Sequence, residues 1–407
     1  MTITCGIDWA EGHHDIAIVD AEGRTLARAR IDTGVAGFGM LLELIAEHSG
    51  SPNETPVAIE TDKSLVVVAL VAAGFTVYPI NPRAVARYRE RYEQSGAKSD
   101  SADAAVLANV LRTDRHVHRP LPVTSEQAAA VKALARQHQE AIWAWHQTIS
   151  RLRSVLLEFY PQALKAFPNL KHHAATAVLG AAASPDAAQR PTRRRVVAIL
   201  QRCGRGNQSG LVDQILADLK APALRQPARV EVALEGTVSG MLTILESMRT
   251  AVTDLEAALN DAFAEHQLAP VLTSPPGLGP VLAARILAEV GDDPTRFATA
   301  NGLRAFAGTA PVTRASGRSH YVKARKVRNK RLGDACHWWA FAALTKSAGA
   351  REHYDRRRAA GDHHNAALRN LANKMLGRLW WCLRNGQQWD ETAAWPTHER
   401  TPETVAA

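Results

Sequence analysis

With 407 residues, the chain is long enough for two or three domains with well-buried cores. Its 49 Lys and Arg against 40 Asp and Glu leave a net charge of +9, which favours a polyanionic partner and is silent on fold. Four scattered cysteines, Cys5, Cys203, Cys336 and Cys382, contain no CxxC pair, which argues against a disulfide frame or zinc site and suits buried thiols of a reducing cytoplasm. No apolar run reaches membrane-spanning length and no signal peptide opens the chain, so a cytoplasmic, non-membrane protein is expected. The histidine doublets His13-His14, His172-His173 and His363-His364 lack metal-ligand spacing and read as surface or nucleic-acid-facing groups.

Residues 1–118 alternate strand and helix signals. Strands are expected at 3–7, 14–19 and 25–31, the last two joined by the turn Asp20-Ala21-Glu22-Gly23. An apolar helix at 38–46 follows, then a strand at 57–60, a helix at 65–73 and a strand at 76–80 ending at Asn81-Pro82. Three antiparallel strands followed by strands alternating with helices is the order of the α/β ribonuclease-H-like fold. Asp8 ends the first strand and Glu60 the fourth. Asp100 and Asp103 lie three apart at the start of a helical pattern, on one helix face. Four carboxylates so placed suit a hard divalent cation such as Mg²⁺, and paired Mg²⁺ ions serve phosphoryl transfer. The structural alternative makes Asp8 a strand-end turn residue and Asp100 a helix N-cap.

Residues 119–270 read as a helical region. Val131, Leu134, His138, Ile142, Trp145, Ile149, Leu152, Leu156 and Phe159 recur at three- and four-residue steps. Val238, Met241, Leu245, Met248, Val252, Leu255 and Leu259 keep a strict three-four alternation. Both are coiled-coil seams, either between protomers or within an intramolecular helical hairpin. Between them an insertion carries proline breaks and the basic cluster Arg193-Arg194-Arg195, Arg202 and Arg205.

Residues 271–390 form the third expected domain, mostly α, with a disordered tail over 391–407. Ser274-Pro275-Pro276-Gly277-Leu278-Gly279-Pro280 leads into a helix at 281–290, as in helix-hairpin-helix elements. Gly277 and Gly279 either expose backbone N–H groups to a phosphate or serve tight packing. From Arg304 to Arg331 there are nine Lys or Arg and no acid: Arg304, Arg314, Arg318, Lys323, Arg325, Lys326, Arg328, Lys330 and Arg331. Ser316 stands among them in a loop held by glycine and proline, between Arg314 and Arg318. It is either a phosphate-contacting turn or a nucleophile whose flanking guanidiniums neutralise the phosphate it attacks. No Gly-x-Ser-x-Gly elbow is present, which argues against acyl transfer.

Five stretches, in order, resemble the signatures of the DEDD transposases of the insertion-sequence 110 family. They are Cys5-Gly6-Ile7-Asp8, Ile59-Glu60-Thr61, Lys98-Ser99-Asp100-Ser101-Ala102-Asp103-Ala104, Pro276-Gly277-Leu278-Gly279, and Ala307-Gly308-Thr309-Ala310-Pro311 through Ser316-Gly317. The resemblance spans residues 3–118 and 271–385. It implies a RuvC-like N-terminal domain, a C-terminal transposase domain and serine-recombinase-like chemistry. By position it makes Ser316 the nucleophile and Asp8, Glu60, Asp100 and Asp103 a Mg²⁺-binding tetrad. It also implies a structured noncoding bridge RNA that pairs with donor and target DNA. Val327-Arg328-Asn329-Lys330-Arg331-Leu332 departs from the usual glycine-containing run there.

The expected function is therefore RNA-guided recombination of an insertion sequence, by a homodimer assembling to a tetramer on DNA, nucleoid-associated when active. Arg314, Arg318, Lys323, Arg325, Lys326, Arg328, Lys330 and Arg331 are the candidate nucleic-acid contacts. Two alternatives stand: a metal-dependent junction-resolving endonuclease using water, and a non-enzymatic nucleic-acid-binding protein. No helix-turn-helix or zinc finger is recognisable, so base-specific readout must come from elsewhere.

Overall fold

The computed structural model describes residues 2–92, 100–205 and 209–396. The chain divides into two compact units, Met1–Val123 and Thr124–Ala407.

The first unit opens with β1 (Thr4–Trp9), β2 (His13–Val19) and β3 (Thr25–Asp32), the expected meander. It continues through α1 (Val35–Glu47), β4 (Val57–Ile59), α2 (Leu65–Ala72), β5 (Val77–Pro79), α3 (Pro82–Tyr92) and α4 (Asp100–Asp114). The sheet order is β3-β2-β1-β4-β5, with β1 antiparallel to β2 and parallel to β4. This is the order expected of a ribonuclease-H-like sheet. Helix α3 goes beyond the expected elements: Pro82 opens it, and the Asn81 side chain accepts from the Arg83 backbone N–H at 2.9 Å.

Alternation splits the sheet between two cores. Cys5, Ile7, Ile16, Ile18, Val57 and Ile59 pack with Leu41 and Ile45 of α1 and Leu70 of α2. On the other face Ala58 and Tyr78 pack with Leu107, Val110 and Leu111 of α4. Each such aliphatic side chain contributes about 1.5–3 kcal/mol on burial. Helix α4 lies unusually close to β1. A Cβ at Gly6 would stand 2.0 Å from the Ala104 carbonyl oxygen and 2.5 Å from the Ala108 nitrogen, so only glycine fits there.

The second unit is helical apart from one hairpin. It holds α5 (Glu126–Phe159), α6 (Pro161–Ala166), α7 (His173–Ala181), α8 (Arg193–Arg202), α9 (Ser209–Leu219) and α10 (Ala228–Ala264). Next come α11 (Ala269–Thr273), α12 (Pro280–Val290), α13 (Ala300–Ala307) and the antiparallel pair β6 (Val312–Ser316) and β7 (Ser319–Lys323). The last helices are α14 (Lys330–Ala343), α15 (Ala348–Ala359), α16 (His364–Asn385) and α17 (Glu391–Ala394).

The two expected seams lie on α5 and α10, and these helices pack against each other within one chain. Val131 at the start of α5 shares a core with Leu259 and Phe263 at the end of α10, together with α12–α14 and α16. Leu152 and Leu156 share a second core with Val238, Leu242 and Leu245, roofed by α6–α9. The pair is therefore antiparallel, with a globular core at each end. Between the cores Ile142, Trp145, Met248, Val252 and Leu255 are only half-buried.

Two expectations need correction. Order continues past residue 390, since Asp390 caps α17 and Trp395 packs against the neighbouring core, with Lys374 4.6 Å above its ring. Residues 397–407 of the expected tail lie outside the described ones. His14 is not a surface group: it is buried in the sheet, and desolvation lowers its pKa. Cys5, Cys336 and Cys382 are buried free thiols, as expected; burial pushes Cys5 and Cys336 up to about 12.

Candidate functional site

In the first unit, Ile7 and Ile59 are in register on adjacent parallel strands, so Asp8 and Glu60 follow side by side. Asp8, within β1, points to the sheet face covered by α4, because Ile7 fills the opposite core, and Glu60 directly follows the end of β4. Gly6, on that same face, is the residue pressed against Ala104. The first turn of α4, which carries Asp103, is thereby pinned near the C-terminal ends of β1 and β4. Asp100 begins α4, while its side chain and residues Lys98 and Ser99 lie outside the described part.

Asp103 is buried at 3% exposure, and the Nε of Arg89 on α3 donates to its Oδ1 at 2.6 Å. An internal cation thus sits on one of the four expected carboxylates. Carboxylate oxygens are the donors that Mg²⁺ prefers, so the residue types fit. Among the described residues no group of three is drawn together closely enough to hold a metal, and Arg89 already occupies one oxygen of Asp103.

One carboxylate escaped the sequence reading. Asp15 is Asp8's cross-strand partner on β2 and shares its face. Like charges directly opposite repel, and Arg30 offsets this with two hydrogen bonds to Asp15, at 3.2 and 2.9 Å. The tight connection between the first two strands was the available signal, since it fixes which residue faces Asp8.

The serine stands on a different kind of support. Ser316 ends β6 and pairs with Ser319, leaving a two-residue loop of Gly317 and Arg318. Gly317 has φ 54°, whereas Arg318 is not in the left-handed region, so glycine at the first loop position supplies the primed turn that such hairpins favour. Period-two alternation puts Arg314, Ser316, Ser319, Tyr321 and Lys323 on one face of the ribbon. The expected irregular loop is therefore a hairpin. Both strands are exposed, and Ser316 makes no side-chain hydrogen bond among the described residues.

The base of the hairpin is firmly built. Gly308 caps α13 in the left-handed region at φ 75°, and a Cβ there would meet the Arg328 Cδ at 2.1 Å. Asn329 caps α14 through the Leu332 N–H and donates to Glu289 at 2.6 Å. Burial pushes the Glu289 carboxyl up. Two bonds from Arg136, at 2.8 and 3.0 Å, and the one from Asn329 outweigh that and hold it below the usual carboxylate range. The run 327–332 that departs from the usual pattern thus carries its own helix cap.

Not every candidate nucleic-acid contact is equally available. Arg314, Arg318, Lys323, Lys326, Arg328 and Lys330 are exposed and Arg325 is half-buried. Arg331 is instead paired with Glu140 and stacked over Trp143. Gly277, at φ 79°, abuts the backbone of α14, with a would-be Cβ 2.6 Å from the Ala343 nitrogen; its visible role is packing. Gly279 is exposed at the N-cap of α12. In the middle basic cluster, Arg193 is tied to Asp213 at 2.8 Å, while Arg194, Arg195, Arg202 and Arg205 are exposed.

Comparison with known proteins gives matches at both ends of the chain. Residues 5–161 match the DEDD transposase family of IS110, and residues 269–355 match the transposase IS116/IS110/IS902 family. The protein assigned as transposase of the IS117 mini-circle of Streptomyces coelicolor is 47% identical, over 97% of each chain. The 43.6 kDa protein of insertion element IS110 from the same species is 34% identical, over 88% of this chain and 85% of that one. The 42 kDa protein of IS900 from Mycobacterium paratuberculosis is 28% identical, over 94% and 96%. Among solved structures, T. thermophilus RuvC in complex with Holliday junction substrate is similar at 19% identity and a TM-score of 0.23, over 30% of this chain and 100% of that one. The sheet order and register carry the fold assignment, and the end-to-end relatives carry the family: the chain belongs to the IS110 family of DEDD transposases.

Proposed function

We propose that this transposase is an RNA-guided DNA recombinase that cuts and rejoins donor and target DNA through Ser316. The observation that carries the reading is the hairpin, which presents Ser316 at the tip of an exposed ribbon with Arg314 on its face and no acid nearby in sequence. In the proposed step the Ser316 Oγ forms an ester to a backbone phosphorus as the bond to one sugar oxygen breaks. The serine proton ends on that leaving oxygen, and rejoining to another strand's hydroxyl reverses the step. Arg314 and Arg318 are suited to neutralise the phosphate and the charge that develops on it.

Asp8, Glu60, Asp100 and Asp103 are the proposed Mg²⁺ ligands. Bound there, the ion would supply Lewis-acid stabilisation of a phosphoryl oxygen. The in-register ends of β1 and β4 support this, as does the pressing of α4 against Gly6. Arg89 holds one oxygen of Asp103, which leaves the other for such an ion. Basic surfaces at Arg194–Arg205 and along the hairpin supply sequence-independent phosphate contacts, so target choice falls to a structured bridge RNA encoded with the element. The acting species is a homodimer that pairs to a tetramer on DNA, with the half-buried stretch between the two cores of the α5–α10 pair as protomer contact.

A second reading keeps the tetrad and replaces the serine by water, making the protein a junction-resolving nuclease. It is favoured by the lack of any hydrogen-bonded base on Ser316 among the described residues. Trapping protein–DNA adducts under denaturing conditions separates the two. Ser316→Ala should abolish both cleavage and adduct, whereas Ser319→Ala, across the ribbon, should keep them. Normal cleavage by Ser316→Ala would establish the water mechanism instead.

A further inference from the structure

Beside the hairpin, within the second unit, lies a cleft of about 670 Å³. Arg325, Lys326, Arg328, Lys330 and Arg369 line it, and none makes an ion pair among the described residues. Asp334, the acid in its wall, is already engaged by the Gln139 amide at 2.9 Å and lies 3.9 Å from Arg285. The Nε of Arg325 is buried without an acceptor among the described residues, so it has a donor to spare for a group entering the cleft. Trp143 of α5 forms part of the same wall. Arg331, anchored on Glu140, stacks over its ring at 5.5 Å and braces it. Arg328 is fixed in turn, its stem against Gly308 and the root of its guanidinium beside Gly333.

We propose that this cleft binds one unpaired nucleotide of a single strand, its phosphate among the cations and its base against Trp143. Uncompensated guanidinium and ammonium groups call for a phosphate. A braced indole among them calls for a flat ring. A duplex, whose bases are stacked on one another, offers no ring face to Trp143, so the nucleotide must be out of the helix. The proposal rests on the nucleic-acid reading of this unit and is independent of the serine chemistry. DNA and RNA share the required chemistry.

The test uses the full-length protein with labelled single-stranded DNA and RNA of one sequence, and the matching DNA duplex. Trp143→Ala should weaken single-strand binding about tenfold, spare duplex binding and leave the salt dependence unchanged. Trp143→Phe should restore most of the affinity. Arg369→Gln should instead reduce the salt slope by about one. The strand type that shows the tryptophan effect identifies the natural ligand. Equal losses on single strand and duplex, or none on single strands, would overturn the proposal. A second readout avoids mutants: 2-aminopurine in a single strand bound by the wild-type protein should be quenched by stacking, and unquenched fluorescence refutes the site. Should Ser316→Ala cleave normally while Trp143→Ala still loses single strands, the serine mechanism fails and the nucleotide site stands.

Discussion

The carboxylate unit and the serine hairpin solve opposite problems. Asp8 and Glu60 sit at the ends of strands buried on both faces, under a helix that touches the β1 backbone at Gly6. Ser316 sits on a two-stranded ribbon whose side chains are exposed on both faces. An isolated two-stranded ribbon is marginally stable by itself, so the hairpin's persistence depends on its base, where Gly308, Arg328, Asn329 and Glu289 interlock. The contrast teaches that the proposed metal ligands are placed by a core, which cannot adapt, whereas the proposed nucleophile sits on a ribbon that can follow a strand's backbone.

The sharpest break of this comparison is chemical. Asp8→Asn removes a hard anionic ligand while keeping its shape, so Mg²⁺-dependent strand exchange should be lost while nucleic-acid binding persists. Recombination at the wild-type rate by this variant would remove the tetrad from the mechanism. Next in size is Glu289→Gln, which leaves Arg136 without its carboxylate and should cost about 3–5 kcal/mol in denaturant unfolding. The same pair makes a pH prediction. Because the folded Glu289 pKa is depressed, its stabilisation is present above the ordinary carboxylate value and is lost as pH falls through the folded one. Glu289→Gln should therefore flatten the acid limb of the stability curve.

Two glycines measure rigidity in each region directly. Gly6→Ala forces α4 off β1 and should cost about 3 kcal/mol, with loss of the carboxylate geometry. Gly317→Ala strains only the turn, by about 1 kcal/mol, and nothing stands within 4 Å of the new methyl. Equal unfolding penalties would mean that the ribbon is as constrained as the sheet. The smallest effect is expected at Val252, half-buried between the two ends of the helix pair. Val252→Glu should lower the assembly state by light scattering with little change in unfolding. Leu245→Glu, at 1% exposure inside the second core, should unfold that end instead. A Val252→Glu protein that stays fully assembled confines the seams to the intramolecular pair.

The sequence carried much of this unaided. Period-two alternation and turn residues marked the strands of the first unit, and the strand-end carboxylates followed because side-chain direction is a local property of a strand. The heptad-like seams on α5 and α10 were equally legible, yet a seam records only that an apolar stripe is covered, not by which chain. Three-dimensional packing gave the partner as the same chain. It also decided what no local pattern encodes: that Arg89 sits on Asp103, that His14 is buried, and that Arg331 is spent on Glu140 and Trp143. Each is a contact between segments far apart in the chain or set by strand register. Such contacts depend on which surfaces the core brings together, and Gly277 shows the same limit: by sequence it serves either a phosphate or tight packing, and its neighbours show the packing.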